Sequence, residues 1–194
     1  MLKIQFFIKK LIVTLGLTLT AISVTQQAQA ANFTYQGDTT NQPIWRRVAP
    51  GNPPTLISGE RDGTLGMSVP YNVFDFIVNQ SGTYTISGTS GSNSRWDIFL
   101  ALYQDSFNLN QQLNNVLIAS TTTTGDTVTF NRQLTSKRKY FLVTTGRRVA
   151  DFGIFTNTIS GSGRVIPIPE SDAIAPILAV SAVTLLSIKF KTHA

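Results

Sequence analysis

The stretch from residue 31 to residue 165 predicts an all-β fold built as a β-sandwich, and three observations carry that prediction. Short segments alternate apolar and polar side chains with a period of two. Gly, Ser, Thr and Asn punctuate them, and no run long enough for an ordinary helix keeps a helical apolar period. A period of two means that each strand turns one apolar face inward, and two facing sheets bury all of those faces at once. The two ends of the 194-residue chain read differently, as an N-terminal signal peptide over residues 1–30 and a C-terminal transmembrane helix within residues 166–194.

In chain order, Lys3, Lys9 and Lys10 precede or enter an apolar stretch that runs from Leu11 to Val24, and Gln26-Gln27 breaks it before Ala28-Gln29-Ala30. Small side chains at Ala28 and Ala30 fit signal peptidase, so cleavage is expected after Ala30, with the lysines holding the start in the cytoplasm. Asn32–Gln36 and Ile44–Val48 are the first candidate strands. Residues 49–68, containing Pro50, Pro53 and Pro54, are the longest irregular stretch and are expected as an extended loop over one end of the sandwich. Tyr71–Val78 alternates, Gly82–Gly88 sets Tyr84 and Ile86 on one face, and Trp96–Tyr103 sets Ile98, Leu100 and Leu102 together. Asn115–Ser120, Thr127–Phe130, Tyr140–Thr145 and Phe152–Ser160 complete the set. Ser120-Thr-Thr-Thr-Thr-Gly125 lies between two apolar strands and ends in Gly125-Asp126, which predicts a hairpin loop.

At the far end, Val165-Ile-Pro-Ile-Pro-Glu-Ser171 leads into an apolar run over residues 173–188, followed by Lys189 and Lys191. That run, helped by snorkelling lysines, predicts a membrane helix, and the basic residues beyond it place the tail in the cytoplasm with the rest outside. The ending resembles the PEP-CTERM sorting signal of exopolysaccharide-associated bacterial proteins, with Pro169-Glu170-Ser171 standing where the family has Pro-Glu-Pro. The resemblance implies an exosortase-type processing enzyme as a partner, and a plain membrane anchor would read the same physically.

The order of the motifs SGTYTISG (81–88), WDIFLALYQDSFN (96–108), NVLIA (115–119), LTSKRKYFLVTTG (134–146) and DFGIFTNTISGSG (151–163) resembles the bacterial pre-peptidase C-terminal domain, over residues 70–163. That resemblance implies a jelly-roll-like β-sandwich and a non-catalytic accessory module, with calcium or polymer binding in some members. Where relatives carry an acidic loop after the LIA strand, this chain has Ser120-Thr-Thr-Thr-Thr, which offers no carboxylate to a hard cation.

Composition removes whole classes of chemistry. There is no cysteine, and the one histidine is His193, so thiol catalysis, Cys/His zinc sites and histidine triads are excluded from the sandwich. Residues 31–165 carry eleven basic and eight acidic side chains in short local groups, too weak a bias for nucleic-acid binding. Glu60-Arg-Asp62 is the one close acidic pair, with no second acid spaced as a partner for glycoside hydrolysis, so a hydrolase is the least favoured class. Asp97 and Asp151 are expected to cap turns or to pair with arginines such as Arg95 or Arg148.

Aromatic rings near strand ends are the better hint of binding. Trp45, Trp96 and Tyr103, with Tyr71 and Phe107, are candidates to stack on sugar, against the alternative that they fill the core. Arg46, beside Arg47, is a candidate to grip acidic polysaccharide, and the pair reads otherwise as a solvated edge. Asp105 and Asn108 are weak candidate calcium ligands; calcium is the possible cofactor, and no metal cluster or catalytic residue is assigned. The expectation is thus a non-enzymatic, exported surface protein associated with exopolysaccharide, with a calcium-dependent adhesion or structural module as the alternative.

The tail supplies a first test. Val180→Arg, at the centre of the apolar run, should cost about 2.5–3.5 kcal/mol of insertion free energy and release protein into the medium. A Val180→Arg protein that stays in the membrane fraction after its N-terminal signal is shown by mass analysis to be cleaved contradicts the anchor.

Overall fold

The computed structural model describes residues 31–57, 66–91, 96–122 and 126–169. The expected signal over residues 1–30, the membrane segment 173–188, and Glu170 and Ser171 of the sorting motif lie outside the described residues. Among the described residues all regular structure is β and no helix is long and apolar enough to cross a membrane.

One antiparallel sheet is ordered β1 (Ala31–Asp38), β11 (Ile154–Gly161), β6 (Gly82–Ser90) and β9 (Thr127–Leu134). The other is ordered β12 (Val165–Pro167), β5 (Val69–Val78), β10 (Tyr140–Gly146), β7 (Ile98–Gln104) and β8 (Val116–Thr121), and β2 (Ile44–Trp45) also pairs with β5. A two-stranded ribbon, β3 (Val48–Ala49) with β4 (Thr55–Leu56), stands apart.

Register explains the core. Phe33, Ile159, Ile86 and Phe130 lie opposite one another across the first sheet, and Phe74, Leu142, Leu102 and Ile118 across the second. These rows meet in one apolar cluster between the sheets, so the period-two pattern of each strand becomes a shared interior. At one end that interior turns polar. Asn157 of β11 donates from Nδ2 to the Tyr35 hydroxyl of β1 (2.8 Å) and to Thr144 Oγ1 of β10 (2.6 Å), tying the two sheets together. Burial holds the Tyr35 hydroxyl above its ordinary range, so it stays protonated there.

Four expectations change. β8 and β9, on either side of the Ser120–Gly125 segment, belong to different sheets and so do not form the expected hairpin, while residues 123–125 lie outside the described residues. The stretch expected as an irregular loop contains paired backbone: β3 pairs with β4, and Gly51 exchanges two backbone hydrogen bonds with Ala119 of the edge strand β8 (2.9 and 3.0 Å), while Trp45 and Val48 just before it pack on the apolar outer face of the second sheet. β7 accordingly buries both faces, Ile98, Leu100 and Leu102 inward and Phe99, Ala101 and Tyr103 outward. The sandwich also passes residue 165, since β12 runs to Pro167 and the Ile168 N–H donates to the Asp75 carbonyl (2.9 Å).

Ending the chain after Arg164 removes buried Val165 and three register pairs from the β5 edge. It should cost about 2 kcal/mol relative to a chain ending at Pro169, measured by urea unfolding, chiefly through lost apolar burial. Equal midpoints would show that β12 contributes nothing.

Candidate functional site

Arg47 fastens the cover to the outer face. Its guanidinium lies 4.5 Å over the Phe99 ring, donates from Nε (3.1 Å) and Nη2 (2.7 Å) to the Arg147 carbonyl, and donates from Nη1 to the Val48 carbonyl (2.9 Å). Carbonyl acceptors and a ring face replace water around it. Burial, and then the neighbouring Arg147 charge, pull its pKa down to about 10, which leaves it a cation at neutral pH. The Arg47 N–H donates to the Gly66 carbonyl (2.9 Å), and Gly66 is required twice over: its φ is +68°, and a Cβ there would meet Arg47 Nε at 2.6 Å. The expectation of a solvated arginine pair therefore fails for Arg47, which is 5% exposed, because the sheet beneath offers carbonyls and an aromatic face.

Around this clamp four of the five singled-out aromatics converge. Phe107 meets Trp45 edge-on at 5.3 Å, Tyr103 at 4.9 Å and Tyr71 at 5.8 Å. Trp45 Nε1 donates to Thr145 Oγ1 (3.3 Å), which donates in turn to the Pro70 carbonyl (2.6 Å). The Tyr103 hydroxyl donates to the Gln112 carbonyl (2.8 Å), and burial raises its pKa, so it remains a donor. That bond holds the connection between β7 and β8, which leaves β7 and enters β8 through Asp105 and Asn115, both with left-handed backbone (φ 67° and 63°).

The pinned connection and the cover enclose a groove. One part, of about 390 Å³, is lined by Ile44, Trp45, Arg46 and Leu109, among others. The adjoining part, of about 270 Å³, is lined by Leu56, Leu113 and Asn114, and Asn110 and Gln112 belong to both. Ile44, Leu56, Leu109 and Leu113 are exposed apolar side chains, Ile44 being 61% exposed. The rim is amides, and neither part is lined by a carboxylate or imidazole.

The singled-out residues thus separate. Trp45 and Arg46 line the groove, but Trp45 is 4% exposed and Arg46 spends Nη2 on the Ile57 carbonyl (3.0 Å). Trp96, 5% exposed, belongs to the cluster between the sheets, away from the other aromatics, and Tyr103 is fully buried. None of the three turns an open ring face to solvent, and Trp45 and Tyr103 support the groove from beneath. Asp105 accepts from Gln104 Nε2 (3.2 Å) and faces Arg138 Nη1 (3.5 Å), while Asn108 Oδ1 accepts the Asn110 N–H (2.9 Å). Among the described residues no three His, Cys, Asp or Glu side chains gather as metal ligands. Asp97 pairs with Arg147 (3.3 Å), with Arg95 outside the described residues, and Asp151 Oδ2 accepts the Arg148 N–H (2.8 Å) as a turn cap. Pro169 is described and exposed; the rest of its motif is not described.

Arg47→Met keeps the apolar stem but removes three donors, two of them to the part-buried Arg147 carbonyl. It should cost about 2 kcal/mol of stability by urea unfolding. An unchanged midpoint would mean that the clamp is incidental.

No family model matches the chain, for the pre-peptidase and PEP-CTERM resemblances included, and no curated protein matches it. Among solved structures it is similar to the K3 cleaved adhesin domain of Lys-gingipain from Porphyromonas gingivalis w83, at 15% identity and a TM-score of 0.35, covering 66% of this chain and 91% of that one.

Proposed function

We propose that this protein is an exported, non-catalytic surface module, a jelly-roll-like sandwich that holds an extended, uncharged polysaccharide chain in the outer groove. The observation that carries the reading is the groove's lining: four exposed aliphatic side chains beside the amides of Asn110, Gln111, Gln112 and Asn114. A sugar chain presents C–H faces and hydroxyls in alternation, which aliphatic contact and amide hydrogen bonds match. Glycoside hydrolysis needs a general acid and a second carboxylate beside the bond, and this lining supplies neither. Export and retention at the cell envelope are supported by Ala28-Gln29-Ala30, by the sorting-type ending and by the apolar run over 173–188. The calcium-dependent alternative has less support, since the Asp105 carboxylate already faces a cation.

The test is retention on a neutral glucan gel. Leu109→Asp with Leu113→Asp should weaken it about tenfold, a loss of about 1.4 kcal/mol, with chelator making no difference. Retention equal to that of the parent refutes the groove; loss of retention with chelator favours the calcium reading.

A further inference from the structure

Where β5, β9 and β11 finish, three connections interlock. The Lys137 N–H donates to the Val78 carbonyl (3.0 Å), the Asn79 N–H to the Arg164 carbonyl (3.1 Å), the Arg164 N–H to Asn79 Oδ1 (2.6 Å) and the Ser136 N–H to Ser81 Oγ (2.8 Å). The backbones of Lys137 and Arg164 are thereby held, from two separate connections, against consecutive residues at the end of β5. Four cations share this end: Lys137, Arg138, Lys139 and Arg164. Among the described residues its two carboxylates are engaged, Asp75 by Lys139 (2.9 Å) and Asp105 by Arg138 (3.5 Å). Lys137 and Arg164 are exposed and have no carboxylate partner among the described residues.

Lys137 also has a left-handed backbone (φ 64°), where glycine or asparagine would fit with less strain. No hydrogen bond or ion pair of its side chain occurs among the described residues, so the fold draws nothing visible from a lysine there. An outlier of this kind points to a use outside the fold.

We propose that this end is a second binding site, for a polysaccharide bearing carboxylate or sulfate groups, with Lys137 and Arg164 as its cations. A single anion on an open, salt-screened surface is held weakly, whereas a polymer engages both cations at once. A bilayer surface fits less well. Membrane-surface binding gains from apolar side chains that enter the lipid, and none of the exposed large apolar residues described, Ile44, Leu56, Leu109, Leu113, Phe152 and Ile154, belongs to the three connections that carry Lys137 and Arg164. The site is independent of the groove and needs only that the protein meets extracellular polymer.

The experiment uses the full chain in a neutral detergent, applied to alginate beads at low salt. The parent should be retained and released as salt rises. Lys137→Gly with Arg164→Ser should bind at least tenfold more weakly, while its thermal midpoint stays equal or rises, because glycine suits the backbone at 137. Leu109→Asp with Leu113→Asp should leave alginate retention intact, which separates failure here from failure of the groove. The proposal is overturned if the Lys137/Arg164 variant binds as the parent does, if the parent is not retained, or if it binds mixed micelles containing phosphatidylserine and not alginate.

Discussion

The second sheet is apolar on both faces, and a second layer therefore has to form over it. β7 sets the constraint: Ile98 to Tyr103 is an unbroken run of buried side chains, three turned to the first sheet and three turned away. Without the cover, Phe99, Ala101, Tyr103, Ala119 and Val143 would form a wet apolar face, at a cost of about 25 cal/mol for each Å² left in water. Strands of two residues and irregular backbone do not hold a cover in place unaided. The Arg47 guanidinium supplies the attachment, with Gly51 paired to Ala119 and Arg132 Nη1 donating to Asn52 Oδ1 (3.0 Å) as further points of contact.

The groove is a by-product of that closure. Trp45 and Phe107 fill the space between cover and sheet, and the Tyr103 hydroxyl fixes Gln112, so the side chains at 109 to 114 are displayed outward on a firm base. The large rings are used for support and smaller aliphatic and amide groups face solvent. The interior between the sheets is less uniform. Ser90 Oγ, Trp96 Nε1 and Asn157 Oδ1 are buried without a hydrogen-bond partner among the described residues, and all three belong to the same end of the sandwich. Such groups cost free energy, and here they sit beside the Asn157 bridge that locks the sheets together.

The inner core was legible because alternation is a direct image of a strand with one buried face: Tyr84 with Ile86, and Ile98 with Leu100 and Leu102, stand where the pattern puts them. The outer layer was less so. The continuous apolar run from Ile98 to Tyr103 was the available sign of burial on both faces, and reading only its even positions hid the face that the cover protects. Arg47 gave no sign, since an arginine held by backbone carbonyls has no partner visible in sequence. Nor did local signals show that β8 and β9 belong to different sheets, because a Gly-Asp pair in sequence is compatible with a hairpin and with a longer passage alike. Of the aromatics, proximity to strand ends named four that the structure brings together, Trp45, Tyr71, Tyr103 and Phe107, and one, Trp96, that it does not, and could not say which side of them faced water.

Hydrogen exchange of the cover's own amides tests this account most directly. The Arg47 N–H, bonded to the Gly66 carbonyl, and the Gly51 N–H, bonded to the Ala119 carbonyl, lie in or beside irregular backbone, where exchange is ordinarily fast. If the apolar outer face makes the cover part of the folded unit, both amides exchange as slowly as those of β8. Exchange at the rate of a free loop, with β7 and β8 still protected, would contradict it.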